Sequence, residues 1–411
     1  MGVHVIDEAN RCLGCKKPLC QQGCPIHTPI PEVIKLFKDH KIMEAGEMLF
    51  ENNPLSYVCS IVCNHEKQCA GHCIRGRKDS PVHFSSIETY ISDMYLDRMQ
   101  ICPPEKERHQ KVAIIGAGPA GITAAIELRK AGYQVTIFEW KSKIGGLLTY
   151  GIPEFRLPNT VIDRYQARLE QMGIQIRLNA TIGAVLVIEN LFRDGYASVF
   201  IGTGAEKPRS LGIEGESLGN VHFALNYLAN PAAHKLGKKV AVIGVGNAAM
   251  DVARTALRNG TQEVTLYAIG KEIAASSAEV AYAELDGAEI VTGMQIQKIT
   301  DEGPIFSPTI YDEEDHVIGH TDELIQVQAD STIIAISQVP RAKLIRTTTG
   351  LEGNEKGLLI VDDKYMTTRE GVFAAGDVIT GAKTVVHAVA GAKEAVKEMI
   401  AYMEKKEAEN G

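Results

Sequence analysis

The chain has 411 residues, 45% hydrophobic and 23% charged, an ordinary balance for a globular protein of two or three domains. Its formal net charge of −8 gives a nucleic-acid role no electrostatic support. No run reaches the roughly 18 apolar residues of a spanning helix. The start, MGVHVIDEANRC, fits neither a signal peptide nor the myristoylation pattern. A cytoplasmic protein without a membrane partner is expected.

Residues 1–108 read as a first domain, and they contain all nine cysteines. PIPEVIKLFKDHKIMEAGEMLFENNP has helical periodicity and predicts a helix, a turn and a second helix. SSIETYISDMYLDRM (85–99) predicts another, capped by Ser85 or Ser86. CPPEKERHQ is a Pro-rich, charged linker.

The first cysteine group is C-x2-C-x4-C-x3-C-P: Cys12, Cys15, Cys20, Cys24 and Pro25. It is a bacterial ferredoxin run with two extra residues in the second gap. The second group is Cys59, Cys63, Cys69 and Cys73. In a reducing compartment, clustered cysteines are metal ligands or redox groups rather than structural disulfides. Thiolates suit both zinc and iron–sulfur clusters, but the second group lacks the short CxxC pairs of a zinc ribbon. Two [4Fe–4S] clusters are therefore favoured over zinc. In two-cluster ferredoxins the fourth Cys of a run serves the other cluster, which sends Cys24 to the second group. Cys59 and Cys102 are left as plain buried cysteines.

At Lys111 the pattern becomes strand, glycine turn, helix, strand. Gly116 allows the tight turn, Gly118 lets a pyrophosphate approach the backbone, and Gly121 permits close helix–strand packing. Pro119 and Ala120 begin the helix whose N-terminus would hold the phosphates. Glu139 ends the next strand, 23 residues after Gly116, where an acid would hold a ribose hydroxyl. The unit recurs 128 residues later with Gly244, Gly246 and Ala249, the permitted GxGxxA form. Asn247 and Ala248 open its helix. Its second strand ends in neither an acid nor an arginine, and the nearest base is Lys271. Two dinucleotide units in one chain suggest FAD in one and a nicotinamide in the other, a converter between two-electron and one-electron carriers. No cysteine follows Cys102, so disulfide-reductase chemistry is not expected and electrons must leave through the N-terminal clusters.

Nearly the whole chain resembles the family of the bacterial glutamate synthase small subunit. That group includes the small subunit of NAD-dependent dihydropyrimidine dehydrogenase and the flavin subunits of electron-bifurcating complexes. The resemblance rests on the first cysteine run, GAGPAG, GGLLTYGIPEFRLP (145–158), GVGNAAMD (244–251) and GVFAAGDVITGAKTVVHAV (371–389). It implies an α/β fold: a helical N-terminal iron–sulfur domain, then two Rossmann-like dinucleotide-binding domains. Their boundaries would be 1–108 for the clusters, 109–235 and 326–411 for FAD, and 236–325 for NAD(P).

By resemblance, Cys12, Cys15, Cys20 and Cys73 hold one [4Fe–4S] cluster. Cys24, Cys63 and Cys69 hold the other, completed by Glu88, with Cys59 as the alternative. Gly145, Gly146, Leu147, Leu148, Gly151, Ile152 and Arg156 would wrap the isoalloxazine. Gly204, Gly376 and Asp377 would also contact FAD, and the helix starting near Thr384 and Val385 would point its N-terminus at the flavin. In NADPH-using relatives paired arginines follow the second-unit strand Tyr. Here Tyr267 is followed by Ala268 and Ile269, which favours NADH. Ser337 stands where relatives usually have Gly.

The implied activity is hydride transfer from NAD(P)H to FAD, then single electrons through two clusters to a partner redox subunit in a hetero-oligomer. That partner would hold the final substrate: a glutamate precursor, a pyrimidine or ferredoxin. Two other classes remain open, a self-contained flavin oxidoreductase with a small substrate and a non-catalytic cluster- or zinc-bearing binding subunit.

Overall fold

The computed structural model describes residues 4–410. The chain forms two compact units. One comprises the chain to Leu148, Glu154–Ala205 and the part from Pro340 onward; the other comprises Thr149–Pro153 and Glu206–Val339.

The first unit opens with a helical layer. In the helix Ile30–Lys38, Ile30, Val33, Ile34 and Phe37 are buried, the i, i+3, i+4, i+7 face of an amphipathic helix. The helix Ile42–Asn52 buries Ala45, Gly46, Leu49 and Phe50. A Cβ on Gly46 would lie 2.4 Å from Cβ of Tyr95, so only glycine allows the helix Phe84–Arg98 to pass this close. That helix begins at Phe84 with His83 as its cap residue, not at the expected Ser85 or Ser86. The reason is tertiary: Oε2 of Glu8 accepts the His83 N–H at 2.8 Å, and so organises the helix start from another element.

The rest of the first unit is built on a five-stranded parallel sheet. Its order is Val372–Ala374, Tyr196–Ile201, Lys111–Ile115, Gln134–Phe138, Gln175–Arg177. Lys111–Ile115 and Gln134–Phe138 each show one exposed residue followed by four buried ones, the continuous apolar run of a strand covered on both faces. The helices Pro119–Lys130 and Val385–Asn410 pack against each other and on this sheet.

The second unit repeats the plan. Its parallel sheet runs Val221–Phe223, Ser331–Ile334, Lys239–Ile243, Glu263–Tyr267, Glu289–Val291. Both sheets thus have the glycine-turn strand in the middle, with the two strands that follow it in the chain placed outward on one side, all parallel. The expected divisions at 235/236 and 325/326 fall inside this unit, because Val221–Phe223 and Ser331–Ile334 pair into its sheet. An antiparallel layer not foreseen from sequence is attached: Met294–Thr300, Gly303–Tyr311 and Val317–His320, with Ile325–Gln326 beside the middle strand.

Candidate dinucleotide and cluster sites

In an open parallel sheet, ligands bind beyond the carboxyl ends of the strands where the order reverses. The first glycine turn lies at that point. Gly116 has φ +100°, and a Cβ there would meet the carbonyl oxygen of Gly202, at the end of the neighbouring strand, at 2.7 Å. A Cβ on Gly121 would sit 1.9 Å from the Gly116 oxygen; its absence lets the helix close onto the turn. Gly118 caps the helix, Pro119 is its first residue, and Ile122 N–H makes a bond to Gly118 O at 2.9 Å. The amides of Ala120 and Gly121 precede that bond, among the orphan donors of a helix start. Space opens at Gly118, whose added Cβ would come no nearer than 4.0 Å to anything, Gly146 Cα included.

Glu139 is buried. Its carboxylate accepts the Ala117 N–H at 2.7 Å and the Lys141 N–H at 2.8 Å, so the acid at the strand end braces the glycine turn itself. Gly145 N–H bonds Ala117 O at 2.7 Å, which brings Gly145, Gly146, Leu147 and Leu148 to the same turn. Gly204, at φ +64°, has open space where a Cβ would be. A Cβ on Gly376 would press Ala120 Cβ at 3.1 Å, so the 376–377 segment also converges here. Asp377 accepts the Lys383 N–H at 3.1 Å, and burial pushes its carboxyl up to about 6. Thr384 Oγ1 lies 2.6 Å from His387 Nδ1 at the start of the long helix from Val385. Arg156 follows in the first unit, while Gly151 and Ile152 belong to the second.

The second turn has the same construction. Gly244 (φ +123°) has no room for a Cβ, which would lie 2.4 Å from Ala335 O. Its N–H bonds Tyr267 O at 2.9 Å. Gly246 caps the helix Asn247–Arg258 and faces open space. Ala249, at the third-glycine position, is fully buried. Asn247 Oδ1 accepts the Ser276 N–H at 2.9 Å, and Ala275 N–H bonds Val245 O at 3.0 Å. The segment 268–275 therefore starts and ends at the mouth of this turn. Lys271, within it, is ion-paired with Asp315, and its Nζ lies 4.8 Å from the centroid of the Tyr311 ring. Both turns fit a dinucleotide: each has a glycine cradle that a side chain would fill and a helix start that presents free donors.

The four cysteines that the resemblance groups together share one cavity with a fifth. Cys12, Cys15, Cys20 and Cys73 line a single cavity of about 90 Å³, and Cys69 lines it too. Cys12 ends the helix Val5–Arg11, Cys20 lies on the short helix Leu19–Gln22, and Cys73 precedes the turn Ile74–Arg77. Burial pushes the Cys20 thiol up to about 11, and the neighbouring Cys73, Cys12 and Cys15 add to it. Cys12 is raised for the same reasons. Deeper in the layer, Cys63 is raised by the hydrogen bond it shares with Cys59, by burial, and by Glu88 and Cys69 nearby. Cys69 is raised by burial, Glu88 and Cys24. Glu88 is buried on the helix Phe84–Arg98, and burial raises its carboxyl.

A second group of Cys24, Cys63 and Cys69 thus has Glu88 and Cys59 both beside it. Cys102 is exposed, not buried as expected. Crowded, buried thiols strained against ionisation are what a cationic iron–sulfur group relieves by taking them as thiolates. A single zinc ion would need sulfurs only about 3.8 Å apart. Among the described residues, no three Cys, His, Asp or Glu side chains close on one ion.

With this geometry in view, the comparisons decide the family. The family model "pyridine nucleotide-disulphide oxidoreductase" matches residues 110–392. The chain belongs to that family. The model "dihydropyrimidine dehydrogenase domain II, 4Fe-4S cluster" matches residues 2–100. The glutamate synthase [NADPH] small chain of Halomonas elongata is 34% identical, covering 97% of this chain and 90% of its own. The NAD-dependent dihydropyrimidine dehydrogenase subunit PreT of Salmonella typhimurium is also 34% identical, over 97% of this chain and 94% of its own. Among solved structures, Mycobacterium tuberculosis FprA (His57Gln mutant) superposes with TM-score 0.63 over 74% of this chain and 86% of that one. At 18% identity it shows the fold alone.

The family's oxidoreductases use FAD and NAD(P)H, and this member adds a [4Fe–4S] domain at its N-terminus. Its name invokes a disulfide, yet every cysteine here is free and none follows Cys102. Among the described residues no helix is long and apolar enough to cross a membrane.

Proposed function

We propose that the chain is the electron-input subunit of a two-component cytoplasmic enzyme. It takes a hydride from a reduced nicotinamide and hands electrons one at a time to a partner subunit that holds the final substrate, as in glutamate synthase. The observation that carries this reading is one chain with two glycine cradles on like-ordered sheets and a thiol-lined cavity ahead of them.

In this reading the first sheet holds FAD. Ala120 and Gly121 give their amides to the pyrophosphate, Glu139 fixes the turn, the Gly145–Leu148 segment flanks the isoalloxazine with Arg156, and Gly376 and Asp377 meet the pyrophosphate and ribityl chain. The second sheet holds the nicotinamide on Gly244, Gly246, Asn247 and Ala248. Bound FAD supplies the exchange between two-electron and one-electron chemistry; the protein orients it and excludes water. Cys12, Cys15, Cys20 and Cys73 hold one cluster, and Cys24, Cys63, Cys69 and Glu88 the other.

NADH is the favoured donor. No arginine stands directly after Tyr267, and the one base of the segment at the turn, Lys271, is engaged by Asp315.

An anaerobic titration of the purified chain with NADH, and separately NADPH, tests the reading by visible absorbance and low-temperature EPR. Bleaching of the flavin by NADH, followed by cubane signals, is expected. Zinc in place of iron and sulfide, or a flavin that neither nicotinamide bleaches, overturns it.

A further inference from the structure

The rim of the thiol-lined cavity has a character opposite to that of the whole chain. The chain carries a net charge of −8. Yet Lys16 and Lys17, between Cys15 and Cys20, and Arg77 and Lys78, just past Cys73, are all exposed. Among the described residues, none of the four has a carboxylate within ion-pair distance. The acid closest in sequence, Asp79, is taken by Arg11 and Arg75. The two segments are held side by side: Arg11 Nη2 donates to Ser80 O at 2.6 Å, and Arg75 Nη1 to Arg11 O at 3.4 Å.

Two large apolar side chains stand among these cations and line the same cavity. Leu13 is 63% exposed and Ile74 41% exposed. Unpaired like charges on adjoining loops repel one another, and exposed apolar side chains gain nothing from water. An apolar centre ringed by one sign of charge is the composition of a recognition surface with a polar rim.

We propose that this rim is a docking face for an acidic protein that carries a one-electron redox centre, the partner's apolar contact covering Leu13 and Ile74 and its carboxylates meeting Lys16, Lys17, Arg77 and Lys78. The proposal rests on the reading that electrons leave through the cysteine cavity. It adds where the partner sits and what its surface is made of.

The test uses the full-length holoenzyme and, as probe, a strongly acidic [2Fe–2S] ferredoxin. Calorimetric binding should weaken by about tenfold or more between about 50 and about 300 mM NaCl, as exposed charges are screened. Carbodiimide, which joins a lysine directly to a carboxylate, should cross-link the probe at Lys16, Lys17 or Lys78. The combined change Lys16→Gln, Lys17→Gln, Arg77→Gln and Lys78→Gln should weaken binding by about tenfold, and Leu13→Ser alone should weaken it too. Iron content and the NADH-bleached flavin spectrum should stay as in the wild type, which shows that the variants are folded and loaded. Absence of binding, unchanged affinity in the Gln variant, or cross-links confined to other lysines would each overturn the docking face. Purified wild-type protein that binds the probe at this rim but lacks iron–sulfur signals would instead sink the reading beneath it.

Discussion

Ser337 has φ +87°, a left-handed conformation that costs a non-glycine residue about 1–3 kcal/mol. It is exposed, so its side chain gains little in return. Ser337→Gly is therefore expected to stabilise the protein by about 1 kcal/mol, read as a higher urea midpoint; an unchanged midpoint refutes it. Asp377 is the opposite case, a side chain that strains against its surroundings. Its folded-state value, about 6, lies above the ordinary 3.8, so the folded protein binds the extra proton between those values. The burial cost is absent below about pH 4 and complete above about pH 6. Asp377→Asn keeps an acceptor for Lys383 N–H and should stabilise the FAD-free protein at about pH 7.5 by at most about 3 kcal/mol, read as a higher Tm, with the gain gone near pH 4. Trp140, the single tryptophan, follows Glu139 and lies between Lys141 and Arg341, each 4.4 Å from the ring centroid. Loading FAD on the first sheet should quench its emission; an emission that FAD leaves unchanged would place the flavin elsewhere.

The glycine turns show how an element is made by the side chains it lacks. Gly121→Ala would put a methyl group 1.9 Å from Gly116 O, so the helix must move off the turn; FAD content after purification should fall at least tenfold, where Gly118→Ala, in open space, should lower affinity without unfolding the strand. The cap of Phe84–Arg98 shows the converse. Local sequence offered Ser85 and Ser86, but Glu8, 75 residues away from His83, supplies the acceptor. Arg11 Nη1 holds that carboxylate at 2.6 Å. Burial alone would raise Glu8, but the His83 N–H and Arg11 outweigh it and keep it below the ordinary carboxylate range. This contribution is complete above the unfolded value near 4.5 and is lost as pH falls through the lower folded value. Glu8→Ala should cost about 1–3 kcal/mol at neutral pH, seen as a lower Tm, with the difference from wild type shrinking in acid. In the buried cysteine group, Glu88→Ala against Cys59→Ala separates the candidate fourth ligands: only the ligand's removal should change the EPR signal of one cluster and spare the other.

At the scale of the molecule, the repeated sheet order is the main result. Each unit has its glycine-turn strand at the centre of five parallel strands, so each offers one reversal point and one phosphate-binding helix start. Nicotinamide choice belongs to this scale, because it depends on a segment and a hairpin that meet only in the folded second unit. Asp315→Ala, which frees Lys271, should narrow the preference for NAD⁺ over NADP⁺ by about threefold to tenfold in equilibrium binding; an unmoved ratio would show that the pair plays no part.

The sequence by itself determined the two glycine turns, the strand–helix order around them and the separation of thiols from flavin. These are local: a positive φ, a Cβ that has no room, or a cysteine a few residues from the next leaves its mark within a short window. Only the tertiary structure decided that Cys69 borders both thiol groups, that Glu88 and Cys59 both stand beside Cys63, that Ser85 and Ser86 yield to Glu8, and that strands 221–223 and 331–334 complete the second sheet. Those outcomes depend on pairings between residues far apart in the chain, and short strands such as Val221–Phe223 (three residues) have too few positions to show a period. Their place is fixed by the hydrogen bonds and buried faces that neighbouring strands make available, which no single stretch of the chain records.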